Sequence, residues 1–159
     1  MAIRQIRTIG DEILTKACKP VKEMNERTLE LIEDMFETMY ENNGCGLAAP
    51  QVGIRKRIVV IDVDDGNQYV LINPEILETS GSQTGAEGCL SVPGKSGQVT
   101  RADHVRAKAL DENMKERVIE GDGLLARCIL HECDHLDGKL YVDMVEGELM
   151  DVEAGEDEE

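Results

Sequence analysis

The 159-residue sequence predicts an α+β fold in which antiparallel β-sheets pack around a central helix. Apolar residues recur at helical spacing in residues 25–43 and again in the segment that follows residue 123. Between these two segments, short β-branched runs are separated by turn residues and not by further helices. This order of helix, strands and helix is typical of α+β proteins and argues against repeated βαβ units.

The first helix is predicted over residues 25–43, where Asn25 is a suitable N-cap and residues 42–44 (NNG) can end the helix. The next segment, residues 44–51 (GCGLAAPQ), is rich in small residues. Small residues allow another group to approach the backbone closely, so we expect this segment to contact a ligand or a neighbouring element.

The strands are predicted from apolar and β-branched runs bounded by turn residues, at 57–62, 69–72, 105–110 and 117–119. Residues 64–67 (DDGN) and 111–113 (DEN) are typical of the turns that join such strands into hairpins. We expect Asn73-Pro74 to end the strand that begins at residue 69. Residues 79–97 are rich in glycine and serine, which predicts short strands and loops there.

Length and charge indicate a single domain over residues 1–147, followed by an acidic tail over residues 148–159 that we expect to be disordered. The net charge of the chain is −16, and residues 146–159 contain no lysine or arginine. Direct binding to a phosphate backbone requires clustered basic side chains, so this composition argues against a nucleic-acid-binding protein.

The five cysteines are irregularly spaced and odd in number, which favours reduced thiols over a disulfide framework. The first residues contain no apolar segment typical of a signal peptide, and no apolar run is long enough to cross a membrane. We therefore expect a cytoplasmic protein with no membrane partner. The sequence does not determine its oligomeric state.

The segment most informative about chemistry is residues 131–135, which form an H-E-x-x-H motif in the second helix. Residues four apart share one face of a helix, so His131 and His135 can bind the same metal ion, with Glu132 beside it. A catalytic metal usually has three protein ligands, and the downstream residues offer no good candidate. Either Cys89 or Cys128 could be the third ligand, and the sequence pattern alone does not choose between them.

The chain resembles the peptide deformylases in three separate motifs: residues 44–51, residues 87–91 (EGCLS) and residues 131–138 (HECDHLDG). The resemblance implies hydrolysis of the formyl group from the initiator methionine of newly synthesised polypeptides. It also implies that Cys89, His131 and His135 bind one divalent metal. That metal is expected to be Fe²⁺ in the cell, with Zn²⁺, Ni²⁺ or Co²⁺ possible in a purified sample.

The same resemblance implies roles for four more residues. Glu132 would transfer the proton, Gln51 and the backbone N–H of Leu90 would stabilise the oxyanion, and the backbone of Gly46 would contact the extended substrate. Helix geometry adds Leu124 and Cys128, which share a helical stripe with both histidines. These two side chains could line the pocket for the substrate methionine, or they could simply pack in the core.

Two other functional hypotheses remain open at this point. The chain could be a different metallohydrolase, such as a small peptidase, or an inactive homologue that only binds peptides. The presence of both Glu132 and Gln51 argues against the inactive homologue. The expected partners are nascent formyl-Met peptides. Binding to the ribosome stays open at this point, because the acidic composition gives no strong signal for binding RNA.

Overall fold

The computed structural model describes residues 3–151 and contains two α-helices and eight strands within that range. Helix α1 spans Glu26–Glu41 and helix α2 spans Gly123–Leu136. The strands are β1 (Gly46–Ala48), β2 (Ile58–Ile61), β3 (Tyr69–Ser80), β4 (Gln83–Cys89), β5 (Val92–Arg101), β6 (His104–Leu110), β7 (Glu116–Asp122) and β8 (Glu146–Asp151).

These strands form two antiparallel sheets, one with the order β1-β2-β3-β6-β7 and one with the order β4-β5-β8. Helix α2 packs against strands β1, β2, β6 and β7 of the larger sheet. The predicted α+β class, with antiparallel sheets around the helix that carries H-E-x-x-H, is confirmed.

Strand β2 is buried on both faces, which explains its uninterrupted apolar sequence. Ile58 and Val60 belong to one core cluster, which includes Met35 and Met39 of α1. Val59 and Ile61 belong to another cluster, which includes Ile129 of α2. The larger sheet therefore lies between the two helices, with α1 packed on one face and α2 on the other.

Helix α1 begins where the sequence predicted, because the Asn25 side chain accepts a hydrogen bond of 2.9 Å from the Thr28 backbone N–H. The prediction that Asn73-Pro74 ends a strand was wrong. Strand β3 continues through both residues with a shift in register between Ile72 and Glu75. Proline is tolerated at such an irregularity because no ladder hydrogen bond is required of it there.

Two further expectations need correction. Short strands and loops were predicted over residues 79–97, but β4 and β5 are two long paired strands that together account for most of this range. The first residues of the predicted disordered tail, 148–151, belong to strand β8, which pairs with β5 through backbone hydrogen bonds. Acidic composition did not prevent this pairing, because every side chain of β8 remains exposed to solvent. The rest of the predicted tail, 152–159, lies outside the described residues.

Neither helix within residues 3–151 combines the length and the apolar character that crossing a membrane requires.

Candidate active site

Helix α2 brings the two motif histidines onto one buried face. His131 and His135 are 6% and 1% exposed, and their ring centroids lie 5.0 Å apart. The helix is fixed by its apolar face, which packs against the five-stranded sheet. The spacing of four residues therefore produces the paired arrangement that the sequence predicted.

Cys89 is the last residue of β4 and lies directly beside these histidines. Its Sγ is 3.2 Å from His135 Nε2, and one potential ligand atom from each of Cys89, His131 and His135 lies within 4.8 Å of the others. Cys128 does not join this group, because its Sγ lies 2.9 Å from Cys45 Sγ. The tertiary structure thus favours Cys89 over Cys128 as the third ligand.

The geometry and chemistry of this cluster fit a divalent transition metal. Ligands around a tetrahedral metal lie about 3.5 Å apart when the metal–ligand bonds are about 2.0–2.3 Å long, and the cluster is compact enough for this. One thiolate and two imidazoles favour Fe²⁺, Zn²⁺, Co²⁺ or Ni²⁺ over Mg²⁺ and Ca²⁺. The Oε1 atom of Glu132 is buried beside the histidines and has no hydrogen-bond partner among residues 3–151. A carboxylate left in this state is suited to receive a ligand or a water molecule.

A buried carboxylate orients His131. Oε2 of Glu87 lies 2.6 Å from His131 Nδ1, while Arg101 and Arg127 donate hydrogen bonds to Glu87. Burial alone would raise the pKa of Glu87, but the hydrogen bonds from Arg101 and His131 hold it well below its usual range. An ionised Glu87 accepts a hydrogen bond from the Nδ1–H of His131, which leaves Nε2 of His131 free to bind a metal.

Glu132 is 4% exposed, and its burial raises its pKa to about 7. A bound cation would favour the ionised form and lower this value. The space for the carboxylate depends on Gly46, because a Cβ atom at residue 46 would lie 2.7 Å from Glu132 Oε2. Gly46 therefore contributes to the site through its missing side chain.

Gln51 lies in a short 3-10 helix, Ala49–Val52. Both the oxygen and the nitrogen of its side-chain amide make hydrogen bonds. Oε1 accepts a hydrogen bond of 2.9 Å from Ala48 N–H, and Nε2 donates one of 3.0 Å to Ser91 Oγ. Nε2 also lies 3.5 Å from Cys89 Sγ, which places an amide N–H at the edge of the cluster. The amide is therefore preorganised next to the position that a metal would occupy.

Residues 7–9 connect the 3-10 helix that carries Gln51 to Ser91, two residues after Cys89. The backbone N–H of Arg7 donates to the Gln51 carbonyl, and that of Ile9 donates to the Ser91 carbonyl, both over 2.7 Å. This connection between the first two motifs was not predicted from the sequence.

A cavity of about 490 Å³ opens onto the cluster. Its walls include Gly46, Leu90, Leu124 and Cys128, together with Glu132. Leu124 is 53% exposed and lies at the rim, whereas Cys128 is buried. The structure thus brings all the predicted substrate-binding residues to one cavity next to the predicted metal ligands.

Sequence reasoning missed the network around Glu87. This residue lies within a motif that was recognised, but its partners Arg101, Arg127 and His131 are 14, 40 and 44 residues away in the chain. Asp134, inside the H-E-x-x-H segment, also accepts a hydrogen bond from Arg101. The sequence did contain one signal for this network, because Glu87 is an acidic residue two positions before the proposed metal ligand Cys89.

Comparisons with known proteins agree with this geometry. The family model described as polypeptide deformylase matches residues 3–149. A peptide deformylase of Agathobacter rectalis is 63% identical over 152 residues, which cover 96% of this chain and 96% of that protein. One of Lachnoclostridium phytofermentans is 55% identical over 161 aligned positions and covers 100% of this chain and 99% of that protein.

Solved structures agree in fold as well as in sequence. The peptide deformylase of Legionella pneumophila is 50% identical, with a TM-score of 0.88, and the match covers 91% of this chain and 86% of that one. The Thermotoga maritima peptide deformylase is 40% identical, also with a TM-score of 0.88, over 91% of this chain and 99% of that one. A family match over nearly the whole chain and relatives this similar lead to one conclusion: this chain belongs to the polypeptide deformylase family.

Proposed function

We propose that Cys89, His131 and His135 hold the divalent metal with which this deformylase removes the N-formyl group from the initiator methionine of new polypeptides, and that Glu132 transfers the proton. The overall reaction consumes one water molecule and releases formate and the free amine of the methionine. The observation that carries the assignment is the compact Cys-His-His group, next to which lies a buried carboxylate oxygen of Glu132 that has no hydrogen-bond partner within residues 3–151.

When bound, the metal would supply Lewis-acid activation of a water molecule and polarise the formyl carbonyl. Its identity in the cell is proposed to be Fe²⁺, with Zn²⁺, Ni²⁺ or Co²⁺ able to occupy the same donors. Glu87 holds His131 in the tautomer that presents Nε2 to the metal.

Glu132 acts as the proton carrier in this proposal. Its carboxylate accepts a proton from the attacking water and later delivers that proton to the departing amine nitrogen. Burial raises the pKa of Glu132 and a bound cation would lower it again, and these opposing effects suit a carboxylate that must both take up and release a proton. Gly46 keeps the space into which this carboxylate projects.

Negative charge develops on the formyl oxygen during the attack. We assign its stabilisation, besides the metal, to the amide of Gln51 and the backbone N–H of Leu90. The Gln51 amide is suited to this role because its contacts with Ala48 and Ser91 hold it in place before the substrate arrives.

The peptide part of the substrate is assigned to the cavity. Strand β1 lies at an edge of the five-stranded sheet, so the backbone of Gly46 is positioned to pair with an extended peptide. Leu124 and Cys128 offer an apolar wall for the methionine side chain.

The cytoplasm is the proposed location of this enzyme, because its substrates are newly synthesised chains and its five cysteines are free thiols. If it works at the ribosome, we expect docking that does not depend on a basic RNA-binding surface, since the net charge is −16.

The proposal is tested by measuring metal content and deformylation of a formyl-Met tripeptide on the same anaerobic preparation. Alanine substitution of Cys89, His131 or His135 should remove both metal and activity. His104→Ala is the matched control, since His104 contacts Asp122 on the β6-β7 hairpin and not the cluster. Full metal content in Cys89→Ala would refute the ligand assignment. Cleavage of internal peptide bonds would instead support a peptidase, and metal binding without turnover would support an inactive homologue.

A further inference from the structure

Two cysteines that the proposed chemistry does not use are in close contact at the wall of the cavity. Cys45 precedes β1 and Cys128 lies on α2, and their Sγ atoms are 2.9 Å apart. Carbon atoms in van der Waals contact lie about 3.5–4.0 Å apart, and sulfur atoms are larger than carbon atoms, so these two sulfur atoms are unusually close. Both cysteines are free thiols, and both line the cavity next to the cluster.

We propose that Cys45 and Cys128 are a reversible redox site: a low-molecular-weight disulfide oxidises them to an intramolecular disulfide, which impairs binding of the substrate methionine. The part of this proposal that concerns the substrate rests on the proposed function, in which this cavity receives the methionine side chain. The formation of the disulfide does not depend on that function.

The chemistry is a pair of thiol–disulfide exchanges. The thiolate of Cys45 attacks one sulfur of the small disulfide, forming a mixed disulfide and releasing the first small thiol. The thiolate of Cys128 then attacks Cys45 Sγ, forming the internal bond and releasing the second small thiol. The two protein thiols lose two electrons and two protons, and the small disulfide gains them.

The structure indicates which thiol reacts first. Cys45 is only partly buried, whereas Cys128 is 5% exposed, so a reagent in the cavity reaches Cys45 more easily. The hydrogen bond from Cys128 also lowers the pKa of the Cys45 thiol, which increases its thiolate fraction. Cys18 and Cys133 are buried, and burial raises the pKa of each, so both react less readily. The hydrogen bond to Cys45 and burial also raise the pKa of the Cys128 thiol, so Cys128 acts second, on the mixed disulfide that lies beside it.

Bond formation needs only a small movement. A disulfide bond is about 2.05 Å long, so the sulfur atoms must approach by about 0.9 Å from their present 2.9 Å. That movement pulls the segment before β1 towards α2. The next residue, Gly46, already packs tightly against Glu132 of that helix. Displacements near 1 Å at an active site cost up to about 10²-fold in rate, and we expect a loss of at least about tenfold in kcat/KM.

The test uses full-length protein loaded with Ni²⁺, so that oxidation of iron does not contribute. The protein is incubated anaerobically with mixtures of oxidised and reduced glutathione at increasing oxidised fraction. At each point, thiols are counted after denaturation and metal removal, disulfides are mapped by mass spectrometry of peptides, and kcat/KM is measured with a formyl-Met peptide. Cys18→Ala is the control that retains both cysteines of the pair, and Cys45→Val removes one.

We expect the thiol count to fall from five to three, because two cysteines are consumed, with one internal bond between Cys45 and Cys128. In the native protein and in Cys18→Ala, kcat/KM should fall with formation of this bond, and dithiothreitol should restore it. In Cys45→Val, kcat/KM should stay at the value of that variant's reduced form as the oxidised fraction of glutathione increases. Stable glutathione adducts without the internal bond, or a bond that involves Cys89, would overturn the proposal.

Other outcomes separate this proposal from the proposed function. If the bond forms and kcat/KM is unchanged, the effect on the methionine pocket is refuted. If the bond forms but the reduced, metal-loaded protein does not deformylate the peptide, the redox site stands and the proposed function fails.

Discussion

Replacing Gly46 by alanine is expected to lower deformylase activity by displacing Glu132. The new Cβ would lie 2.7 Å from Oε2, 3.0 Å from Cγ and 3.1 Å from Cδ of that side chain. The favourable separation is about 3.5 Å, so the shortest contact falls short by about 0.8 Å. Glu132 is 4% exposed and belongs to α2, so its carboxylate cannot simply swing into solvent. It must leave the position from which it would transfer protons.

A misplacement of this size predicts a loss of about 10-fold to 10²-fold in kcat/KM, with the metal retained. Activity, metal content and thermal unfolding should be compared with those of Gly85→Ala. Gly85 also lies within a strand, but a Cβ there meets only an ordinary contact of 3.6 Å, with Arg127. If Gly46→Ala keeps full metal and an activity close to that of the control, the packing of residue 46 against Glu132 does not matter for catalysis.

Three further predictions follow from the same geometry. Glu132→Ala should keep the metal but lose at least about 10²-fold in turnover, and a fully metallated mutant of near-normal rate would contradict its role in proton transfer. Glu87→Gln should weaken metal affinity by about 10-fold to 10²-fold, measured by competition with a chelator, because His131 loses its charged partner. It should also lower the unfolding temperature, since Arg101 and Arg127 would lose their common carboxylate. Acetyl-Met peptides should be hydrolysed about tenfold to a hundredfold more slowly than formyl-Met peptides, or slower still, because the extra methyl group must fit between the cluster and Gly46; equal kcat/KM values would exclude a tight site.

The parts of the structure that could be predicted from sequence depend on short-range geometry. His131 and His135 meet because residues four apart share a helix face, and Asn25 caps α1 through a contact three residues away. The choice between Cys89 and Cys128 is different. It depends on where strand β4 ends relative to α2, and no local pattern encodes that position.

The wrong predictions share a cause, which is that tertiary pairing overrode a local signal. Pro74 normally ends a strand, but Asn73 adopts φ 52° and bonds through its side chain to the backbone of Val21, so β3 continues beyond it. Residues 148–151 begin a segment that is rich in acidic residues and has little tendency to form a core. They form a strand nevertheless, because β5 offers an edge to pair with and their side chains stay in solvent.

The backbone hydrogen bonds made by residues 7–18 have a consequence for the order in which the protein folds. Arg7 bonds to Gln51, Ile9 to Ser91 and Cys18 to Leu136, which are separations of 44, 82 and 118 residues. Contacts between residues so distant in sequence form late, because each closes a long loop at an entropic cost. A chain still being synthesised cannot make the last of these bonds until Leu136 has emerged. We therefore expect the enzyme to become active only after the segment up to Leu136 has been synthesised, and residues 7–18 to be among the last parts to reach their final positions.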